Sequence, residues 1–246
     1  MLKVSISKPL PYAWKHSMLA YDQPLDASEN ELLNGSIVVP IDSTEDFAYV
    51  AIYDKYVIIS FQGTVGDITP WLSNMDPYPL KAEEYNGKYL RNGKWGKGMI
   101  HDGFYTTWKF FKLEIDRIIK EYGITSKKYK IITCGHSRGG ALAELCSRHL
   151  AKNKMMPNSC FTFGCPRVGN KEYRDQFRML PINGTRVVNG WDIVAMVPPK
   201  VLGFKHGCAN LIWNKKAWWM RFIPHIKISD HLTKNYDKFI ESKFMK

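Results

Sequence analysis

Ser137 stands in Gly135-His136-Ser137-Arg138-Gly139, between a strand-like run, Tyr129 to Thr133, and a segment of helical periodicity, Arg138 to Asn153. A serine hydroxyl is a weak nucleophile. It attacks an acyl carbonyl only when a base takes its proton and a third group orients that base. Gly-x-Ser-x-Gly acquires meaning between a strand and a helix, where the chain turns so sharply that neither flanking glycine has room for a Cβ. The helix then opens with free N–H groups that stabilise a developing oxyanion, and the backbone N–H of Arg138 is the expected donor.

The base must be one of seven histidines. His136 adjoins the serine and is expected to point away from it, His16 precedes the sheet, and His149 lies inside a helix. His231, in "KISDHLTKNY", sits where a loop enters the last helix, so its ring can reach across the strand ends; His206 and His225 lie in the same region. For the orienting carboxylate, Asp192 in "RVVNGWDIVAMVPP" follows a buried-looking strand directly. Asp175 falls on a charged helix face and Asp230 adjoins His231, so both fit less well. The resulting chain order, Ser137, Asp192, His231, is the one expected of serine hydrolases with this elbow. A second oxyanion donor should come from an earlier loop, and "FQGT" offers the Thr64 N–H and hydroxyl at a strand end.

The elements that must hold these groups follow from periodicity. Phe47 to Tyr53 and Tyr56 to Gln62, broken by Asp54-Lys55, read as a hairpin. Phe104, Trp108, Phe111, Ile115 and Ile118 recur at helical spacing, and Gly123 is placed to stop that helix. Ser159 to Phe163 and Thr185 to Asn189 read as strands and Asn170 to Arg178 as a short helix. Leu232, Tyr236, Phe239 and Ile240 mark a closing amphipathic helix. In the helix after the elbow, Leu142, Leu145, Cys146 and Leu150 should face the core while Glu144 and Arg148 pair outside. Helices alternating with short strands imply an α/β fold, with a mostly parallel central sheet, an antiparallel hairpin, and helices on both faces. Residues 1–246 are expected to form a single domain, with residues 65–99, rich in Gly, Pro, Asn and Lys, as a candidate lid or insert.

Composition narrows the partners. The chain has 246 residues, 45% of them hydrophobic, with a net charge of +12 and an isoelectric point near 9.4. Such a balance favours an anionic contact, either a phospholipid surface, nucleic acid or an acidic protein; a solvated lysine surface is the plain alternative. No arginine-rich tract or nucleic-acid motif is present, so nucleic acid is set aside. Five cysteines, an odd number, argue against a disulfide framework, and no Cys-x-x-Cys or His-x-x-x-His pair offers a metal site. The amino terminus lacks a signal-peptide pattern and no run is long enough to span a bilayer, so the protein is expected to be cytoplasmic or peripheral to membranes. The sequence does not fix an oligomeric state.

With these residues in place, the stretch from about Phe47 to Tyr236 resembles the class 3 lipases, the fungal-type triacylglycerol lipases and their plant and microbial relatives. Phe61-Gln62-Gly63-Thr64 is similar to the family's oxyanion loop, Trp71-Leu72 to its tryptophan segment, and Ile100 to Phe104 to its "VHxGF" helix start. Phe163 to Asn170 is similar to "FGxPRVGN", and Ser137, Asp192 and His231 fall where the family carries nucleophile, acid and base. The resemblance implies an α/β-hydrolase fold, ester hydrolysis through an acyl-enzyme, no cofactor, and a lid. Three positions depart from the pattern: Gln62 for arginine, Arg138 for leucine, and Ala195 for proline. The first two bear on the oxyanion loop and the acyl pocket.

For substrate, "VGDITPWLSNMDPYPL" and "IWNKKAWWMRFIPHI" are the segments expected to border the site. The second mixes aromatic and aliphatic residues with Lys215, Lys216 and Arg221, a pattern suited to an anionic lipid interface; a core-packing loop with basic ends is the alternative. Acylglycerols or phospholipids are thus the expected substrates, with a soluble-ester esterase and a catalytically silent lipid-binding scaffold as competing readings.

Overall fold

Val57, Ile59 and Phe61 alternate with Ile58 and Ser60 along β3 (Tyr56–Phe61), and this period of two sends them into separate cores on the two faces of one sheet. The computed structural model describes residues 8–22, 25, 30–43, 46–66, 68, 80–83 and 98–245. On one side β3 pairs antiparallel with β2 (Phe47–Ile52), which pairs antiparallel with β1 (Ile37–Asp42). On its other side it pairs in parallel with β6 (Lys130–His136), and β7 (Ser159–Phe163), β8 (Asn183–Asn189) and β9 (Asn210–Asn214) continue in parallel. The seven-stranded order is β1-β2-β3-β6-β7-β8-β9; β4 (Leu80–Glu83) and β5 (Gly98–His101) pair separately.

Helix α1 (Pro9–Leu19) covers one face and α2 (Asp102–Glu121) and α3 (Arg138–Lys152) the other. On α2 the expected stripe of Phe104, Trp108, Phe111, Ile115 and Ile118 is fully buried, at about 1.5–3 kcal/mol of apolar stabilisation per side chain. Gly123, with φ +58°, takes the left-handed conformation just beyond its end. Asn170 caps α4 (Lys171–Met179) by accepting from Tyr173 N at 2.9 Å. The chain closes with α5 (Pro224–His231) and α6 (Thr233–Phe244), and α6 buries Tyr236, Phe239 and Ile240 beside α1.

Two expectations are overturned. Glu144 and Arg148 do not pair on the outside of α3, because that helix is buried on every side. Glu144 accepts from the N–H groups of Gly207 and Cys208, at 3.1 and 3.2 Å, while Arg148 bonds Gln176 Oε1 and lies over the Tyr173 ring. Leu232, counted on the apolar stripe of the last helix, is 41% exposed, because the chain breaks there between α5 and α6. Most of the candidate lid, including Trp71 and Leu72, lies outside the described residues.

Candidate active site

Three parallel strands end where the candidate residues meet. β6 delivers Ser137 into the turn to α3 with φ 56° and ψ −130°, a conformation a non-glycine residue adopts only when its surroundings impose it. Here the surroundings are two glycines: a Cβ on Gly135 would fall on the Gly139 carbonyl, and a Cβ on Gly139 would strike the Phe61 carbonyl of β3. Ser137 N is tied to Phe163 O of β7 at 2.8 Å. No side chain caps α3, so its first N–H groups face the elbow uncapped.

His231 is the last residue of α5 rather than part of a loop. Its Nε2 lies 2.9 Å from Ser137 Oγ and its Nδ1 2.9 and 3.0 Å from the two oxygens of Asp192, all three residues being at most 2% exposed. Nδ1–H therefore donates to the carboxylate and Nε2 is left to accept the serine proton. Asp192, on the loop after β8, also accepts from Val194 N at 2.8 Å and from Tyr236 Oη at 2.6 Å. A Cβ at Gly164, which follows β7 with φ +59°, would stand 2.7 Å from Asp192 Oδ2 and 3.0 Å from His231 Nδ1. That close approach accounts for the glycine after Phe163.

The other candidates are engaged elsewhere. Asp230 is buried, accepts from Trp191 N at 2.8 Å, and is paired with Lys216. Asp175 pairs with Lys171 and Arg174, His225 is exposed, and His206 Nε2 donates to Ala195 O at 3.0 Å. His16 is enclosed by Tyr49 and Tyr53, and burial pushes its pKa down to about 3.

Thr64 follows the β3 end, and Gly63 beside it packs so closely on the elbow that a Cβ there would be 3.0 Å from Ser137 Cβ. Thr64 Oγ1 is buried with no hydrogen-bond partner among the described residues. Gln62 does not reach the site: its Nε2 donates to Ala20 O at the end of α1. Arg138 does not reshape a pocket through its guanidinium, which is paired with Asp46 before β2.

Two groups escaped the sequence reading. Tyr236 counted only as an apolar stripe residue, yet its hydroxyl serves the Asp192 carboxylate. His136 does turn from the serine, but it holds the candidate base: its Nε2–H donates to His231 O at 3.0 Å, Tyr21 Oη donates to its Nδ1 at 3.0 Å, and its ring stacks on His231 at 4.6 Å. Burial first, then the adjoining His231, hold the His136 pKa well below the usual histidine range, so it stays neutral. No group of three metal-ligating side chains occurs among the described residues. The arrangement can move a proton from Ser137 Oγ to His231 Nε2 while a fixed carboxylate faces the imidazolium that forms.

Known proteins share this frame. The chain is 28% identical over 161 residues to secreted mono- and diacylglycerol lipase 1 of Fusarium solani, covering 65% of this chain and 45% of that protein. It is 37% identical over 94 residues to the chloroplastic phospholipase A1-Igamma1 of Arabidopsis thaliana, covering 35% and 18% respectively. The chain thus spans less than half the length of both. The triacylglyceride lipase structure of Rhizomucor miehei superposes with a TM-score of 0.66 at 24% identity, covering 83% of this chain and 78% of that one, and shares its α/β-hydrolase fold. The family model for Lipase (class 3) matches residues 58–202, more than half of the sequence and most of the sheet just described, and the chain belongs to that family.

Proposed function

We propose that the protein hydrolyses carboxylic esters of lipids, acylglycerols or phospholipids, through an acyl-enzyme on Ser137. The observation that carries this reading is the continuous path from Ser137 Oγ through His231 to Asp192, with 2.9 Å at each link. Ser137 Oγ attacks the ester carbonyl carbon while its proton passes to His231 Nε2. The N–H groups of Thr64 and Arg138 stabilise the oxyanion, with Thr64 Oγ1 as a further donor. His231 returns the proton to the departing alkoxide, leaving the acyl group on Ser137. A water then repeats the sequence, with His231 taking its proton, and frees the fatty acid. Asp192 keeps the imidazole oriented and offsets its charge. Every step uses side chains and backbone of this chain, and none calls for a cofactor.

A lipid substrate is supported by the surface ahead of the base. Trp218, Trp219 and Phe222 are 66, 54 and 64% exposed on the short helical turn that leads into α5. Adjacent exposed aromatics beside cationic side chains suit an anionic membrane surface. Lys215, over the Trp213 ring, belongs to that surface, whereas Lys216 is taken by Asp230 and the Arg221 side chain lies outside the described residues. The names of the relatives point the same way, to acylglycerols and phospholipids. No helix among the described residues is long and apolar enough to cross a membrane, which is compatible with peripheral contact.

A panel of a short nitrophenyl ester, emulsified triacylglycerol and anionic phospholipid vesicles, run with Ser137→Ala as control, tests the reading. Turnover of the lipids that falls by a thousandfold or more in a folded Ser137→Ala protein supports it. Retained turnover in that variant overturns it, and turnover of the soluble ester alone makes the protein an esterase.

A further inference from the structure

The loop that carries Asp192 closes one side of a cavity of about 200 Å³, which neither Ser137 nor His231 lines. Arg167, Arg186, Lys200 and His206 line it, with the indoles of Trp191 and Trp213. That volume is below the roughly 300–1,000 Å³ of sites that bury a drug-sized ligand. It exceeds the roughly 10–15 Å³ that one water needs on the same measure. A small, anionic ligand fits both the size and the charge.

The hydrogen-bonding groups narrow the choice. Arg186, half-buried on β8, forms no salt bridge with a described carboxylate, and Glu144 acts on its charge only through space. Arg167 uses Nη1 on the Met196 and Pro198 carbonyls, and its Nε is buried without a partner among the described residues. His206, 8% exposed, donates Nε2–H to Ala195 O, which leaves Nδ1 as an acceptor, also buried and unpartnered among the described residues. Burial, reinforced by the Arg186 and Arg167 charges, depresses the His206 pKa well below the usual range and keeps that acceptor neutral. The one carboxylate on the wall, Asp192, already accepts from His231, Tyr236 and Val194.

Cationic donors around one neutral acceptor match an oxyanion that still carries a proton. We propose that this cavity binds a singly or doubly protonated phosphate group, free or as a phosphomonoester, on the far side of the Asp192 loop from the nucleophile. Its charged oxygens take Arg186 and Lys200 directly; Arg167 Nε and His206 Nδ1, both covered in this structure, are reached after a local shift of the wall, the P–OH then donating to Nδ1. Sulfate, with no proton to give at neutral pH, meets the Nδ1 lone pair instead. Because the Asp192 loop is part of the wall, occupancy steadies the acid without touching Ser137.

Calorimetric titration of the full chain with sodium phosphate at pH 7, against sodium sulfate at matched ionic strength, tests this. Saturable phosphate binding at least tenfold tighter than sulfate is expected, weakened tenfold or more by Arg186→Gln and threefold or more by Lys200→Gln. Lys200 is exposed, so its variant reports even if Arg186→Gln fails to fold. Equal binding of the two anions, or phosphate binding unchanged by Lys200→Gln, overturns the proposal. Glycerol phosphate and phosphatidic acid vesicles, compared with phosphatidylglycerol vesicles, separate the sources. Vesicle binding that depends on phosphatidic acid and falls with Lys200→Gln assigns a lipid headgroup, and indifference of the vesicles beside intact soluble binding assigns the free anion. The titration involves no hydrolysis and can be run on Ser137→Ala, so its outcome is independent of the ester-hydrolase reading.

Discussion

Tyr236 Oη donates a 2.6 Å hydrogen bond to Asp192 Oδ2, linking the closing helix to the carboxylate that holds His231. The same hydroxyl accepts from Asn189 N at 3.1 Å, at the end of the strand that leads to Asp192. Removing it in Tyr236→Phe leaves the ring and its stack on Trp14 in place, at 5.6 Å, while the carboxylate loses one of its donors. A hydrogen bond to a charged group contributes about 1.5–3 kcal/mol, which corresponds to roughly a tenfold or greater fall in kcat. KM should change little, because the hydroxyl is two residues removed from any ester. Steady-state kinetics on the soluble ester separates these, and a change confined to KM refutes the positioning role.

Arg138 occupies the position where related sequences commonly carry leucine, and its guanidinium is paired with Asp46. Both side chains are largely covered, at 17 and 15% exposure, so the pair counts for more than a surface ion pair and less than a fully buried one. Arg138→Leu should therefore cost about 1–3 kcal/mol in urea unfolding, with kcat within about threefold of the parent, since the expected oxyanion donor is the backbone N–H. Arg138→Leu with Asp46→Asn should recover part of that loss. A kcat fall beyond tenfold in the single variant would instead give the guanidinium a direct part in turnover.

Buried histidines make the fold sensitive to acid. His16, His136 and His206 all have pKa values depressed by burial, His16 to about 3. Below the unfolded value near 6.5 the unfolded chain binds protons that the folded chain refuses, so stability falls as pH drops through that value. Each group contributes up to about 1.4 kcal/mol per pH unit. Glu144 acts in the opposite sense: its carboxyl pKa is raised by burial, so its contribution is present at low pH and lost as pH rises through the folded value. Three histidines outweigh one carboxyl, so stability falls with acid by on the order of 2–4 kcal/mol per unit near pH 5 to 6. Urea midpoints measured from pH 7 to 5 check this, and His16→Gln should lessen the slope; a flat profile refutes it.

The elements with strong periodicity and the chemistry tied to them could be read from the chain. The α2 stripe, the β2–β3 hairpin and the glycine-flanked elbow each leave a local mark, and Asp192 stands after its strand, whereas nothing local marks the short helix that ends on His231. What was illegible is what depends on distant packing. α1, with prolines at 9 and 11 and no clean stripe, carries no helical signature in the sequence, yet its Trp14 stacks on Tyr236. β1 and β9 lie at the sheet edges, where their alternation is partly exposed and weak. Helical spacing alone puts Glu144 on the surface, because nothing local reveals that Gly207 and Cys208 bring two N–H groups against it. A hydroxyl such as Tyr236 Oη leaves no signature beyond the apolar ring that carries it.

The exposed aromatics before the base should govern lipid surfaces and not soluble esters. Trp218 and Phe222 pack edge to face at 6.0 Å, with Trp219 beside them, so their apolar area is presented as a patch. Full burial of each such side chain is worth about 1.5–3 kcal/mol, and partial insertion at a headgroup boundary somewhat less. Trp218→Ser with Phe222→Ser should therefore weaken binding to phosphatidylglycerol vesicles by roughly tenfold or more, while turnover of a short soluble ester changes less than about threefold. Charge reversal tests the electrostatic share, but only at Lys215. Lys216→Glu would set a second carboxylate against the buried Asp230, whose present partner is the lysine, and the resulting loss of stability would be mistaken for lost membrane contact. Vesicle co-sedimentation at two salt concentrations reads both effects. Binding that survives the double aromatic variant, or that ignores both salt and Lys215→Glu, would move the lipid contact to another face of the molecule.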